Sequence, residues 1–208
     1  MPGLSRSVGR KPSPTEPAAV ALGYPQSMHD ADPPTHDATR TTVHDLRARL
    51  DAVEARLGSV ASADPPPGLT DPDPSDGERW QAGQVWSHVA EFVPYWMGEA
   101  EKVIGAASPE PVPFGRIKTD AARIEAIERG RHEAATDVIS RVSASIEEVR
   151  VFTAELDQLE WTARGAHPTR GVMTVRQIFQ RFVAEHLEEH VAQLEKLAGL
   201  SPGRAPAS

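Results

Sequence analysis

Two histidines four residues apart, His186 and His190 in HLEEHVAQL, are the side chains of this sequence best spaced to do chemistry together. On a helix that spacing sets the imidazoles side by side, and the apolar residues around them turn the same face toward a core. Two buried imidazoles without partners would cost roughly 1–3 kcal/mol each. Three arrangements avoid that cost: hydrogen bonds to other buried polar groups, a wet end of a helix bundle, or a shared metal ion. The zincin motif has the same His spacing but needs Glu directly after the first His. Leu187 stands there and the acids are Glu188 and Glu189, so a zincin protease is not expected. The chain has no cysteine; a metal must therefore use nitrogen and oxygen ligands, which favours His with carboxylate or water. A third histidine, His88 in WQAGQVWSHVAEF, lies on or beside an apolar stripe, three residues after Val85 and four before Phe92. Alone it reads as a structural residue, and it gains a role only where the fold brings it to the pair.

The elements that must position these residues are helices. The last is expected from Thr174 to Ala198. Thr174 is a good N-cap with Gln177 completing a capping box, and Met173 and Ile178 are spaced for a hydrophobic staple. Gly199 suits the left-handed C′ position and Pro202 prevents continuation. Val175, Ile178, Phe179, Phe182, Leu194 and Leu197 trace its buried face, with His186 and His190 on the same stripe. A second helix is expected from Gly83 to Ala107, bent or locally broken at Pro94. A third is expected from Glu133 to Leu159, with residues 120 to 131 as its first part or a short separate helix. The first is expected from Val43 to Val60, where Val43, Leu46, Leu50, Val53 and Leu57 keep an a/d spacing. Pro-rich loops over 61–79 and 108–119 and a turn over 160–172 connect them. The first loop is long enough to cover a site. The fold class is thus all-α, a four-helix bundle over residues 41–200. It is preceded by a disordered Pro-rich arm (1–40) and followed by a short disordered tail (201–208).

Composition narrows the function. The 208 residues suffice for one domain with a sizeable core. A net charge of −8 argues against nucleic acid as a partner, since phosphate binding needs a basic face. No apolar stretch approaches the ~18 residues of a transmembrane helix, and the N-terminus makes a poor signal peptide, so no membrane association and a cytoplasmic location are expected. Met28 offers an alternative translation start. Of the other histidines, His29 and His36 read as solvated tail, His44 as surface, His132 without a role and His167 as a loop residue. No Gly-rich loop opens a helix and no nucleophile elbow orders Ser, His and Asp.

Trp80 eight residues before His88, a Pro/Gly-containing turn leading into GVMTVRQIF, and HLEEHVAQL together resemble the DinB/YfiT-like superfamily of four-helix bundles. The likeness covers roughly residues 40 to 200. It implies an up-down-down-up topology and a metal triad falling on His88, His186 and His190. Gln193 matches the family's Gln after the second His. Departures are Gln81, where the family often has Ser or Thr, Pro94, and the extra N-terminal arm. Three imidazoles leave an open coordination position, as a catalytic zinc requires; zinc is the foremost candidate, with nickel or iron accepting the same ligands. Glu91, Glu185 and Glu189 are near enough in sequence to orient the imidazoles, with a solvated helix face as the plainer reading. The resemblance implies a metal-dependent hydrolase or an S-transferase that uses a low-molecular-weight thiol, such as bacillithiol or mycothiol, on a small-molecule substrate. The family's maleylpyruvate isomerases usually carry a further C-terminal domain, which argues against that particular activity. The alternatives are a non-catalytic metal- or ligand-binding bundle, perhaps stress-related by the family's name, and a structural bundle acting as a homodimer.

Overall fold

The heptad spacing of the first segment does build a helix that buries one stripe. In the computed structural model, α1 (His36–Ala61) places Leu46, Leu50, Val53, Leu57 and Val60 at no more than 3 % exposure. The structure describes residues 36–63 and 68–200. The arm up to residue 35, with Met28 and His29, and the tail from residue 201 lie outside the described residues. α1 begins at His36, inside the stretch read as unstructured, because the large apolar residues that mark the helix in the sequence start only at Val43.

The remaining order is α2 (Ala82–Gly105), β1 (Val112–Pro113), α3 (Ala121–Gly130), α4 (Ala135–Glu155), α5 (Gln158–Thr162), β2 (Arg164–His167) and β3 (Gly171–Thr174). The last helix follows in three segments: α-helical Val175–Ile178, π-helical Phe179–Glu185, and α-helical His186–Leu197. α1, α2, α4 and the last helix form the four-helix bundle. Its up-down-down-up course shows in the side chains. Arg49 forks onto Glu188 at 2.7 and 2.8 Å and Arg56 forks onto Glu195 at 2.8 Å twice. Both pairs have the same sequence separation, so α1 and the last helix run parallel. Arg150 of α4 reaches Asp51 and Glu54 of α1 at 2.7 and 2.6 Å.

Glu195 is 5 % exposed, and among the described residues Arg56 is the one cation paired with it. Glu195→Ala is expected to lower stability by about 2 kcal/mol, the scale of a charged hydrogen bond whose partner retains some access to water. Urea unfolding of the variant with an unshifted midpoint would contradict this.

Three local expectations are corrected. α2 runs without interruption through Pro94, which lies on the exposed face of the helix. The third helix ends at Glu155, not Leu159: Leu156 is extended, and Asp157 starts α5 with its own capping box, exchanging bonds with Glu160 at 2.8 and 2.9 Å. Leu159 is consequently 80 % exposed, and Trp161, fully buried, takes the core position. The turn over 160–172 is instead a hairpin, β2 antiparallel to β3, with β1 added parallel to β2. Gly165 permits this packing, since a Cβ there would lie 2.5 Å from the Phe114 ring.

The caps of the last helix are as the residues indicate. Thr174 N–H donates to Gln177 Oε1 at 2.9 Å and Gln177 N–H to Thr174 Oγ1 at 3.3 Å. Gly199 has φ +68°, and Leu200 N–H closes onto Glu195 O at 2.9 Å. Between the caps the register differs from a plain α-helix. A π-turn closes i→i+5 bonds and takes up an extra residue. Val183, Ala184, Leu187 and Val191 are therefore fully buried, while Phe182 is half-buried and stacks on Trp96 at 4.1 Å. Phe182 and Leu197, read as core, sit at its margin.

Candidate metal centre

The π-segment ends where His186 begins, and the α-helix that follows carries His186 and His190 toward α2, where His88 projects from the facing turn. The three imidazoles meet, their ligand atoms all within 4.8 Å of one another. His186 Nε2 lies 3.2 Å from His88 Nε2 and 3.2 Å from His190 Nε2. Two nitrogens bound tetrahedrally to one zinc, at ordinary Zn–N lengths, are about 3.3 Å apart.

The outward nitrogens decide which protonation state the inner ones have. His190 Nδ1 faces Gln193 Oε1 at 2.8 Å, His186 Nδ1 faces Glu189 Oε2 at 3.1 Å, and His88 Nδ1 faces Glu91 Oε2 at 3.6 Å. Each acceptor is three residues further along the same helix, on the next turn. Gln193 Oε1 and the Glu189 carboxylate accept from Nδ1–H of His190 and His186, the tautomer that turns Nε2 of each ring toward the centre, whereas His88 Nδ1 has no hydrogen-bond partner among the described residues. The donor set fits a divalent ion with imidazole ligands and a supporting outer layer.

Of the three acids weighed in the sequence, Glu91 and Glu189 face the histidines. Glu185 points elsewhere, 4.0 Å from Arg181. Arg116 pairs with both carboxylate oxygens of Glu91, at 2.5 and 2.6 Å, and lies 3.8 Å over the Tyr95 ring, holding Glu91 in place. Arg116 and Tyr95 carry no motif signal, and the sequence reading missed them.

Rings form the walls. Phe92, fully buried, lies 4.7 Å from His186, 5.1 Å from His88 and 5.9 Å from His190. Trp80 stacks on His190 at 6.0 Å and meets His88 edge-on at 5.2 Å. The loop before it is pinned to Trp80 and its neighbours: Thr70 N–H donates to the Trp80 carbonyl and Trp80 N–H to Thr70 Oγ1, Lys118 joins Asp73, Asp76 and Glu78, and Lys196 pairs with Asp71. Water reaches the centre past His186, whose side chain is 32 % exposed. His167 is buried elsewhere, among Trp96, Phe114 and Phe182, and does not join the triad; His44 and His132 are on the surface.

Burial first, then the neighbouring imidazoles, push the pKa of His88 and His190 well below the usual imidazole value. The consequence for the metal-free chain has a definite sign. Above about pH 6.5 both rings are neutral whether folded or unfolded. Below it the unfolded chain takes up protons that the folded chain refuses, so stability falls with pH by up to about 1.4 kcal/mol per unit for each ring. The urea midpoint of metal-free protein is expected to drop between about pH 7 and pH 5; a flat profile would show that the rings are not held neutral.

Fold and site together define a four-helix bundle with a three-histidine centre between its second and last helices. The sequence model of the DinB superfamily matches residues 71–194, more than half the chain, and the protein belongs to that superfamily. Among solved structures, a mycothiol-dependent maleylpyruvate isomerase superposes with a TM-score of 0.59 at 13 % identity, covering 81 % of this chain and 64 % of the isomerase. YfiT from Bacillus subtilis, described as a probable metal-dependent hydrolase with an unusual four-helix bundle topology, gives 0.54 at 14 % identity, covering 80 % of this chain and 91 % of YfiT. At such identities the likeness is one of fold. This chain spans just under two thirds of the isomerase's length. No curated protein sequence matches it. No helix among the described residues is long and apolar enough to cross a membrane.

Proposed function

We propose that His88, His186 and His190 hold a divalent metal, zinc foremost, and that the protein acts there on a small molecule, as a metal-dependent hydrolase or as an S-transferase using a low-molecular-weight thiol. The observation that carries this reading is the convergence of three imidazoles on one point, with His186 Nε2 3.2 Å from Nε2 of both His88 and His190. A bound divalent ion supplies Lewis acidity at its open position, enough to activate water or a thiol near neutral pH.

The chain's own residues set the terms of that chemistry. Gln193 and Glu189 orient the rings of His190 and His186, and Glu91, held by Arg116, lies 3.6 Å from Nδ1 of His88. Phe92 and Trp80 exclude water from the protein side, leaving approach on the side of His186. The likeness to YfiT, a probable metal-dependent hydrolase, and to a mycothiol-dependent isomerase supports the same pair of activities for this bundle.

The test is metal content by plasma mass spectrometry on tag-free protein beside His186→Ala. Hydrolysis of p-nitrophenyl acetate and thiol transfer to chlorodinitrobenzene are then assayed on the loaded chain. About one metal ion per chain, lost in the variant, with turnover in either assay, is expected. Metal without turnover would favour a binding bundle, and no metal after reconstitution would overturn the reading.

A further inference from the structure

The basic side chains around the mouth of the centre are nearly all spoken for. Arg116 is held by Glu91, Lys118 by three acids of the loop before Trp80, and Arg131 by Glu128 and Gln81. Arg79 bonds the Thr70 carbonyl. Arg123 differs. It stands in the first turn of α3, half-buried, with its guanidinium carbon 5.3 Å from the centre of the Trp80 ring that packs on His88 and His190. Its Nη1 donates to Lys118 O at 2.9 Å; no carboxylate among the described residues pairs with it, and Nε and Nη2 have no protein acceptor there.

We propose that Arg123 recognises a carboxylate on the small molecule handled at this centre, gripping it with Nη2 and Nε while the reacting group sits at the histidines. This deepens the function proposed above and rests on it. A planar guanidinium with two parallel donors is the geometry that a carboxylate accepts best. Arg123 lies over the Trp80 ring, which itself touches both His88 and His190, so the ring sets the cation beside the centre. Burial, then the repulsion of Arg116, lowers the pKa of Arg123 against the opposing pull of Glu78, Glu91 and Asp120, none of which forms an ion pair with it among the described residues. The substrate class is therefore a small acid, its carboxylate set apart from the bond or thiol that reacts.

The experiment is calorimetry on the zinc-reconstituted full chain, with 3-mercaptopropionate and 4-mercaptobutyrate each compared with its neutral amide. The wild type is expected to bind at least one acid about tenfold to a hundredfold more tightly than its amide. Arg123→Gln is expected to erase that preference and leave amide binding unchanged, while Arg123→Lys keeps part of it. Equal binding of acids and amides by the wild type, or a preference that survives Arg123→Gln, overturns the proposal. Metal content on the same samples separates the two readings. Bound metal without acid preference removes the carboxylate site alone. Absent metal removes the metal centre, and the acid-to-amide ratio on the metal-free chain still decides Arg123.

Discussion

Alanine at His190 is expected to weaken metal binding by more than a hundredfold, beyond the roughly 10–100-fold that outer-layer substitutions cost. His190 is 6 % exposed, its Nε2 stands 3.2 Å from that of His186, and its other nitrogen is fixed by Gln193. Removing it leaves two imidazoles and a ring-sized space that solvent fills. Competition with a chromogenic chelator reads the change directly. Gln193→Ala, which keeps the ligand and frees its tautomer, should fall within the smaller range. Stability with and without zinc separates this account from a purely structural one. Were His190 a hydrogen-bonded core residue, its loss would destabilise the chain by about 1–3 kcal/mol. With the imidazole serving as a metal ligand, its loss should cost far more in the zinc-loaded protein than in the metal-free one. A large loss of stability with unchanged metal affinity would refute the assignment.

Phe92→Ala should couple fold and centre. The ring is fully buried between α2 and the last helix and touches all three imidazoles. Its truncation is expected to cost about 3–5 kcal/mol, the transfer term plus the cavity left in a close-packed core. The space opens directly beneath the histidines, so metal affinity should fall as well, although no ligand is changed. Phe92→Leu, which refills most of the volume, should recover the greater part of both. Urea unfolding and chelator competition on the two variants check this. Parallel loss and recovery is the expected pattern, whereas a destabilised Phe92→Ala chain with wild-type metal affinity would show that the ring packs the bundle without shaping the site.

The bundle was readable because its helices announce themselves by periodicity and caps: the α1 stripe, the Thr174–Gln177 box and Gly199 all do in the fold what their residue types suggest. The site was readable in part for the same reason. His186 and His190 are joined by helical spacing alone, and His88 was drawn to them by family likeness rather than by any local rule. What stayed hidden depends on tertiary contacts or on small backbone departures. The π-turns of Phe179–Glu185 leave no compositional trace, yet they move Val183, Leu187 and Val191 into the core. The hairpin of β2 and β3 is too short for alternation to show, and Leu159 and Trp161 exchange places because one extended residue, Leu156, divides an apparently continuous helix. Arg116 and Arg123 lie in or just after a Pro-rich crossing, where nothing local connects them to histidines on other helices.

The most direct test of the metal centre is anomalous diffraction at the zinc edge from crystals of tag-free protein grown with zinc. One peak, about 2.0–2.1 Å from Nε2 of each of His88, His186 and His190, is the predicted result. Crystals with ordered histidines and no peak among them, or with zinc bound only at other residues, would contradict it.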